Sequence, residues 1–190
     1  MHTKFNREEL ELITQRDWFE LKALASAKTI QLLEEVASLC NISEIVIPID
    51  FTKGYKITKG ENLNGFPFYV LDLPKLDTSN AILSIRVLIW WGHEVTVNLL
   101  VGEGTFLNYK IQILNNYSNF KSKDWYVNIG NSLWQHDIRD ENNYINSMIP
   151  TMDDIASIEV FKVSKGISLK NENLVQEIMN AIKEVSILLN

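Results

Sequence analysis

Six side chains have the type and setting to meet a ligand: Glu61, Asn62, Asp72, Arg86, Trp90 and His136. Glu61 and Asn62 fall inside Lys59-Gly60-Glu61-Asn62-Leu63-Asn64-Gly65, a run of turn formers that predicts the tip of a β-hairpin, where exposed groups are free to meet a partner. Arg86 and Trp90 share parity in the stretch from Ile82 to Trp91, so on a strand they point the same way. A guanidinium and an indole placed together can hold an anionic or aromatic group. His136 stands in Trp134-Gln135-His136-Asp137, flanked by an aromatic ring and an acid. Glu61, Asp72, His136 and Asp137 would make an acid-base set if the fold brought them together. Plainer readings compete at each place: a turn needing positive φ at Gly60 or Gly65, an ordinary loop histidine, and one of Trp90 and Trp91 serving as core.

Other chemistries lose ground on inventory. The three histidines, His2, His93 and His136, lack the helical spacing of a zinc motif, and no metal is expected. No Gly-x-Ser-x-Gly elbow, phosphate loop or dinucleotide fingerprint occurs, since Gly102-Glu103-Gly104 lacks its third glycine, and no cofactor is expected. The single Cys40 lies on the apolar stripe of a helix with no charged neighbour to activate it, so it reads as a buried, inert thiol.

The chain has 190 residues, 46% of them hydrophobic and 22% charged, the composition of one self-folding domain spanning residues 1–190. Its net charge is −6, and Arg7, Arg16, Arg86 and Arg139 are scattered singly, which predicts no nucleic-acid partner. The N-terminus carries no apolar signal core, and the longest apolar run is too short to cross a membrane, so no membrane partner is expected. One cysteine fits a reducing compartment, and the expectation is a soluble cytoplasmic protein.

Asn6 before Arg7-Glu8-Glu9 and Asp17 before Trp18-Phe19-Glu20 read as helix starts, and Leu33, Val36, Ala37 and Cys40 belong to a core-facing stripe. Strands are expected at Ile45-Val46-Ile47, Tyr55–Thr58, Phe68–Leu71, Trp125–Val127 and Ile158–Val163. Residues Leu83, Ile85, Val87, Ile89 and Trp91 alternate, as do Val95, Val97, Leu99 and Val101, and all are odd-numbered. Two antiparallel strands present both sets on one side only if paired numbers sum to an even value, which predicts a three-residue loop over Gly92. The even-numbered face, with Ser84, Arg86, Leu88, Trp90, Glu94, Thr96 and Asn98, should then be accessible or turned toward a ligand. Thr105–Phe120 fits either period and is assigned to a helix, and a helix closes the chain from about Glu172 to Leu189.

Lys59-Gly60-Glu61-Asn62 with Gly65, Pro67, Val70-Leu71-Asp72 and Pro74, followed by Trp90-Trp91-Gly92, resembles an uncharacterised family of bacterial proteins of about this length. The resemblance implies a free-standing bacterial protein and brings no activity, cofactor or catalytic residue. The expected fold is α+β: an antiparallel sheet of about five to seven strands from residues 45–164, with the N-terminal helices and a C-terminal helix packed on one face. The expected function is a non-catalytic domain that binds a small molecule or a protein. The alternative is a small enzyme with a carboxylate and histidine acid-base site.

Overall fold

The computed structural model describes residues 4–42, 49–50, 53–76, 82–121 and 124–190. Helix α1 (Arg7–Thr14) opens with the expected cap, the Asn6 side chain accepting from the Glu9 N–H at 2.9 Å while the Glu9 carboxylate accepts from the Asn6 N–H at 2.7 Å. Helix α2 (Arg16–Ile42) takes Asp17 into its first turn and runs 27 residues, about 40 Å at the helical rise. Its second half joins the buried core through Leu33, Val36, Ala37 and Cys40.

Strands β1 (Lys56–Leu63) and β2 (Phe66–Leu73) form the first hairpin. Its tip is shorter than the expected Lys59–Gly65 loop: the ladder runs on to Leu63, and Asn64 (φ 51°) and Gly65 (φ 89°) alone make the turn. Two consecutive positive φ angles suit the right-handed twist of the strands, and Asn-Gly adopts them at little cost. Strands β3 (Leu83–Trp90) and β4 (Val95–Val101) pair as Val87 with Val97 and Ile89 with Val95, the even sum that alternation requires. The Trp90 N–H donates to the Glu94 carbonyl at 3.0 Å across a loop of Trp91, Gly92 and His93, with Gly92 at φ 77°.

Helix α3 (Glu103–Phe120) follows, burying Phe106, Ile113, Tyr117 and Phe120 at helical spacing. Then come β5 (Trp125–Asn128), β6 (Tyr144–Asn146), the short α4 (Met152–Ser157), β7 (Phe161–Ile167) and α5 (Leu174–Ser186), ending in a 3-10 turn. Strand β7 begins three residues later than the expected Ile158. The strand expected at Ile45-Val46-Ile47 lies outside the described residues.

The result is one seven-stranded antiparallel sheet in the order β1-β2-β3-β4-β7-β5-β6, with an α+β arrangement of helices. The odd-numbered face of β3 and β4 joins Tyr69, Leu71, Phe161 and Val163 in the core beneath α2, α3 and α5. Cys40 sits there with Sγ 3.7 Å from the Met179 Sδ, and burial pushes its thiol up to about 12. Helix α1 and the first half of α2 take no part in this layer: every residue from Lys4 to Leu21 is exposed.

The even-numbered face differs from expectation. Ser84, Arg86, Trp90, Thr96 and Asn98 are all buried: the irregular segment 129–143 folds back over Arg86 and Lys162, Trp90 packs with Val70, Leu88, Leu63 and Phe68, and the Ser84 hydroxyl donates to the carbonyls that end β2. The sheet is packed on both faces, with helices on one side and a loop on the other.

Candidate functional site

Strand register lines up one polar rung across all seven strands: Lys56, Asp72, Arg86, Asn98, Ser164, Tyr126 and Asn146 are successive cross-strand partners. Side chains on one rung share a face and stand within reach of one another. Arg86 donates from Nε to Asp72 Oδ1 at 2.7 Å and from Nη2 to Oδ2 at 3.0 Å, a bidentate pair with little solvent access on either side chain. Asn98 Nδ2 donates to the Arg86 carbonyl at 3.0 Å and to Thr96 Oγ1 at 3.1 Å, while its Oδ1 accepts from the Ser164 hydroxyl at 2.7 Å.

The covering loop is fastened from beneath. Lys162 of β7 is wholly buried, and its Nζ donates to the Leu133 carbonyl at 3.0 Å and to the Gln135 carbonyl. The Tyr144 hydroxyl donates to the same Gln135 carbonyl at 2.6 Å. Above Arg86 lies the Trp134 ring, its centroid 4.9 Å from the guanidinium carbon. Asp140 ties the loop internally, accepting from Gln135, Asn142 and Asn143. Gly166 permits the last close approach, since a Cβ there would stand 2.9 Å from Ile138 Cδ1 and 2.6 Å from Glu94 Oε2.

Beneath this cover His136 Nδ1 is buried with no hydrogen-bond partner among the described residues. Burial, with the charges of Lys162 and Arg86 adding to it, pulls the imidazole down to about 3. Burial and the Arg86 guanidinium likewise pull Lys162 down to about 7. The Tyr144 hydroxyl is pushed the other way, to about 12, chiefly by burial.

These shifts make stability pH-dependent with a fixed sign. Between about 3 and 6.5 the unfolded chain protonates His136 while the native state does not, so His136 stability is present above 6.5 and is lost as pH falls. Between about 7 and 10.5 the unfolded chain holds a proton that native Lys162 has given up, so stability rises with pH across that window. Thermal melts from pH 4 to 10 should show both slopes in the wild type. His136→Gln should flatten the acid slope and Lys162→Met the alkaline one; wild-type slopes in both variants would contradict the placement of these groups.

Beside the covered zone the same face opens into a cleft of about 900 Å³, lined among others by Glu94, Tyr126, Arg139, Glu141, Tyr144 and Asn146. Arg139 Nη2 donates to Glu94 Oε1 at 3.0 Å at its rim. The lining carries the carboxylates of Glu94, Asp124 and Glu141 against the bases Arg139 and Lys165, and the Lys165 amine is turned to Glu184 of α5 at 2.7 Å. Acids thus outnumber bases in the lining, three to two.

Of the six side chains singled out in the sequence, Asp72, Arg86 and His136 come together under the loop. Glu61 instead meets Lys22 of α2 at 2.6 Å, and Asn62 Oδ1 accepts the Gly65 N–H at 2.9 Å within its own turn. Trp90 donates from Nε1 to the Leu63 carbonyl at 3.0 Å and stacks on His93 at 3.7 Å, fastening one hairpin to the next. Asp137, the fourth acid-base candidate, accepts the Arg139 N–H in a loop turn. Lys162, Ser164, Tyr126, Tyr144 and the Glu94–Arg139 pair were not among the candidates. The signal for two of them was present: Phe161-Lys162-Val163-Ser164 alternates like β3 and β4, which sets Lys162 and Ser164 on a polar face. Among the described residues no group of three or more histidine, cysteine or carboxylate side chains could hold a metal ion, and no helix is long and apolar enough to cross a membrane. No family model, curated protein or solved structure matches this chain.

Proposed function

We propose that this is a non-catalytic binding domain whose cleft on the polar face of β7, β5 and β6 takes a small polar ligand bearing a positive charge. The observation that carries the reading is the lining of the 900 Å³ cleft, where two tyrosines stand among an excess of carboxylates. Aromatic faces and carboxylates together attract ammonium and guanidinium groups, and a concave site of this size suits a small molecule or the side chain of a peptide. The two bases of the lining are matched, Arg139 by Glu94 and Lys165 by Glu184, so neither amine nor guanidinium competes with an incoming cation for Glu141.

Calorimetric titration with a panel of organic cations (arginine, spermidine and choline) tests it. At least one should bind, and Tyr126→Ala or Glu141→Lys should weaken that binding about tenfold with the fold intact. No binding by any cation, or equal binding by both variants, would overturn the proposal.

The catalytic alternative draws on one observation, the Lys162 amine held near 7 beside the neutral imidazole of His136. It stands second because the amine is spent on two carbonyls under a closed loop. Rapid acylation of Lys162 in the native protein at mildly alkaline pH would favour it.

A further inference from the structure

The ion pair at the rim of the cleft joins a fixed acid to a movable base. Glu94 closes the β3–β4 hairpin loop, its carbonyl accepting the Trp90 N–H at 3.0 Å, and its carboxylate lies over Gly166, where a Cβ would stand 2.6 Å from Oε2. The Glu94 side chain is 23% exposed, against 61% for Arg139. Arg139 gives Nε at 3.3 Å and Nη2 at 3.0 Å to the single oxygen Oε1. That contact falls short of the two parallel bonds that a guanidinium makes at its best with a carboxylate, as Arg86 does with Asp72. The main chain carrying Arg139 is tied down: its N–H donates to Asp137 Oδ1, the Asp140 N–H to the Asp137 carbonyl, and the Tyr144 N–H to the Asp140 carbonyl. Release of Glu94 therefore needs only a swing of the Arg139 side chain.

We propose that Arg139 is a built-in occupant of the cleft, holding Glu94 until a ligand's own guanidinium or primary ammonium group displaces it. The inference rests on the reading of the cleft as a cation site and adds the regulation and ligand class of that site. The two partners separate unequally. Arg139 goes to water at little cost, because an exposed ion pair contributes little. Glu94 stays behind, mostly buried in a lining it shares with Asp124 and Glu141, and a new cation offsets its desolvation. An incoming cation thus meets an internal rival at Glu94 and none at Glu141. The rival also selects, since Arg139 is held through N–H donors and whatever takes its place must bring N–H groups of its own. A guanidinium does so; a quaternary ammonium has none. Tyr126 and Tyr144 still draw a quaternary cation by their ring faces, so choline reports on the cleft without reporting on Glu94.

Calorimetric titration of arginine and of choline into the full chain as wild type, Arg139→Gln, Glu94→Gln and the double variant is the test. Arg139→Gln should tighten arginine roughly three- to sixfold, the gain from removing a weak internal pair that masks the competent state. Choline should change little. Glu94→Gln should weaken arginine, and in that background Arg139→Gln should no longer tighten it, a non-additive cycle. Thermal melts of all four forms should agree, since Arg139 is exposed and glutamine matches glutamate in shape. Equal tightening with and without Glu94, or an equal gain for choline, would show that Arg139 acts by long-range charge alone and would overturn the proposal. If choline binds and is weakened by Tyr126→Ala while arginine is indifferent to Arg139, the cleft reading stands and this inference fails. If neither cation binds any form, both fail.

Discussion

Arg86→Ala should cost about 3–5 kcal/mol in urea unfolding, because it strands the Asp72 carboxylate under the loop with its bidentate partner gone. The loss has a second source: the Trp134 ring, which lies over the guanidinium at 4.9 Å, loses the surface it rests on. Breaking a buried pair from one side is worse than removing both charges, since an uncompensated ion costs more than the pair contributes. Arg86→Met combined with Asp72→Leu should therefore recover most of the loss, giving a non-additive cycle. A single substitution costing under about 1 kcal/mol would mean that Asp72 finds another partner or stays wet. The same geometry disqualifies Arg86 as a probe of ligand binding, because any effect on binding would be confounded with the melt. Tyr126 and Glu141, at the open cleft, are the proper probes.

Val97→Asp and Thr96→Asp should both be severely destabilising, each by about 3 kcal/mol or more. Val97 is fully buried in the helix-covered core between Val87 and Lys165, and the Lys165 amine is already engaged by Glu184, so a carboxylate there is desolvated without a counter-ion of its own. Thr96 is also buried, at 3% exposure, on the opposite face, where its Oγ1 accepts from Asn98 and its cross-strand neighbours are Leu88 and Gly166. A carboxylate at 96 adds bulk and charge beside Glu94, which already crosses Gly166, and so meets repulsion as well as desolvation. Paired thermal and urea melts decide the matter. If Thr96→Asp melted like the wild type, the 129–143 segment would not be closed over the sheet and the polar rung would lie open.

The covered rung and the open cleft belong to one surface with two roles. At the β2–β3–β4 end, the paired charges of Asp72 and Arg86 and the hydrogen bonds of Asn98 spend the rung's polar side chains on holding the fold. Toward β5 and β6 the rung ends at Tyr126 and Asn146, which face the cleft. Lys162 stands at the border, and its attachment to Leu133 and Gln135 decides how far the loop reaches. That arrangement explains why chemistry-bearing residues cluster here without forming an acid-base pair: burial keeps His136 neutral, and hydrogen bonding to carbonyls occupies Lys162.

Local pattern was enough for much of this protein. The parity of the apolar residues from Leu83 to Val101 requires an even-sum register and an odd-length loop, of which three residues over Gly92 is the simplest, because a one-residue slip would turn every valine and isoleucine outward. Asn6 with Glu9 specifies a helix start by itself, and the stripe of Ile178, Ala181 and Val185 in α5 needs only helical spacing to find a core. Helix α3 was undetermined by period alone, and burial of Phe106, Ile113, Tyr117 and Phe120 on one side decided it. What only tertiary structure decided is non-local. Strand β7 enters between β4 and β5, and that insertion brings Ser164 to Asn98, 66 residues away, and sets Lys162 under the loop. The 129–143 segment has no apolar period to declare which surface it covers, since its attachments are hydrogen bonds to main-chain carbonyls that no side-chain pattern encodes. Hence the same alternation that placed Arg86 and Trp90 on the second face could not say whether that face would meet solvent, a ligand or the chain itself.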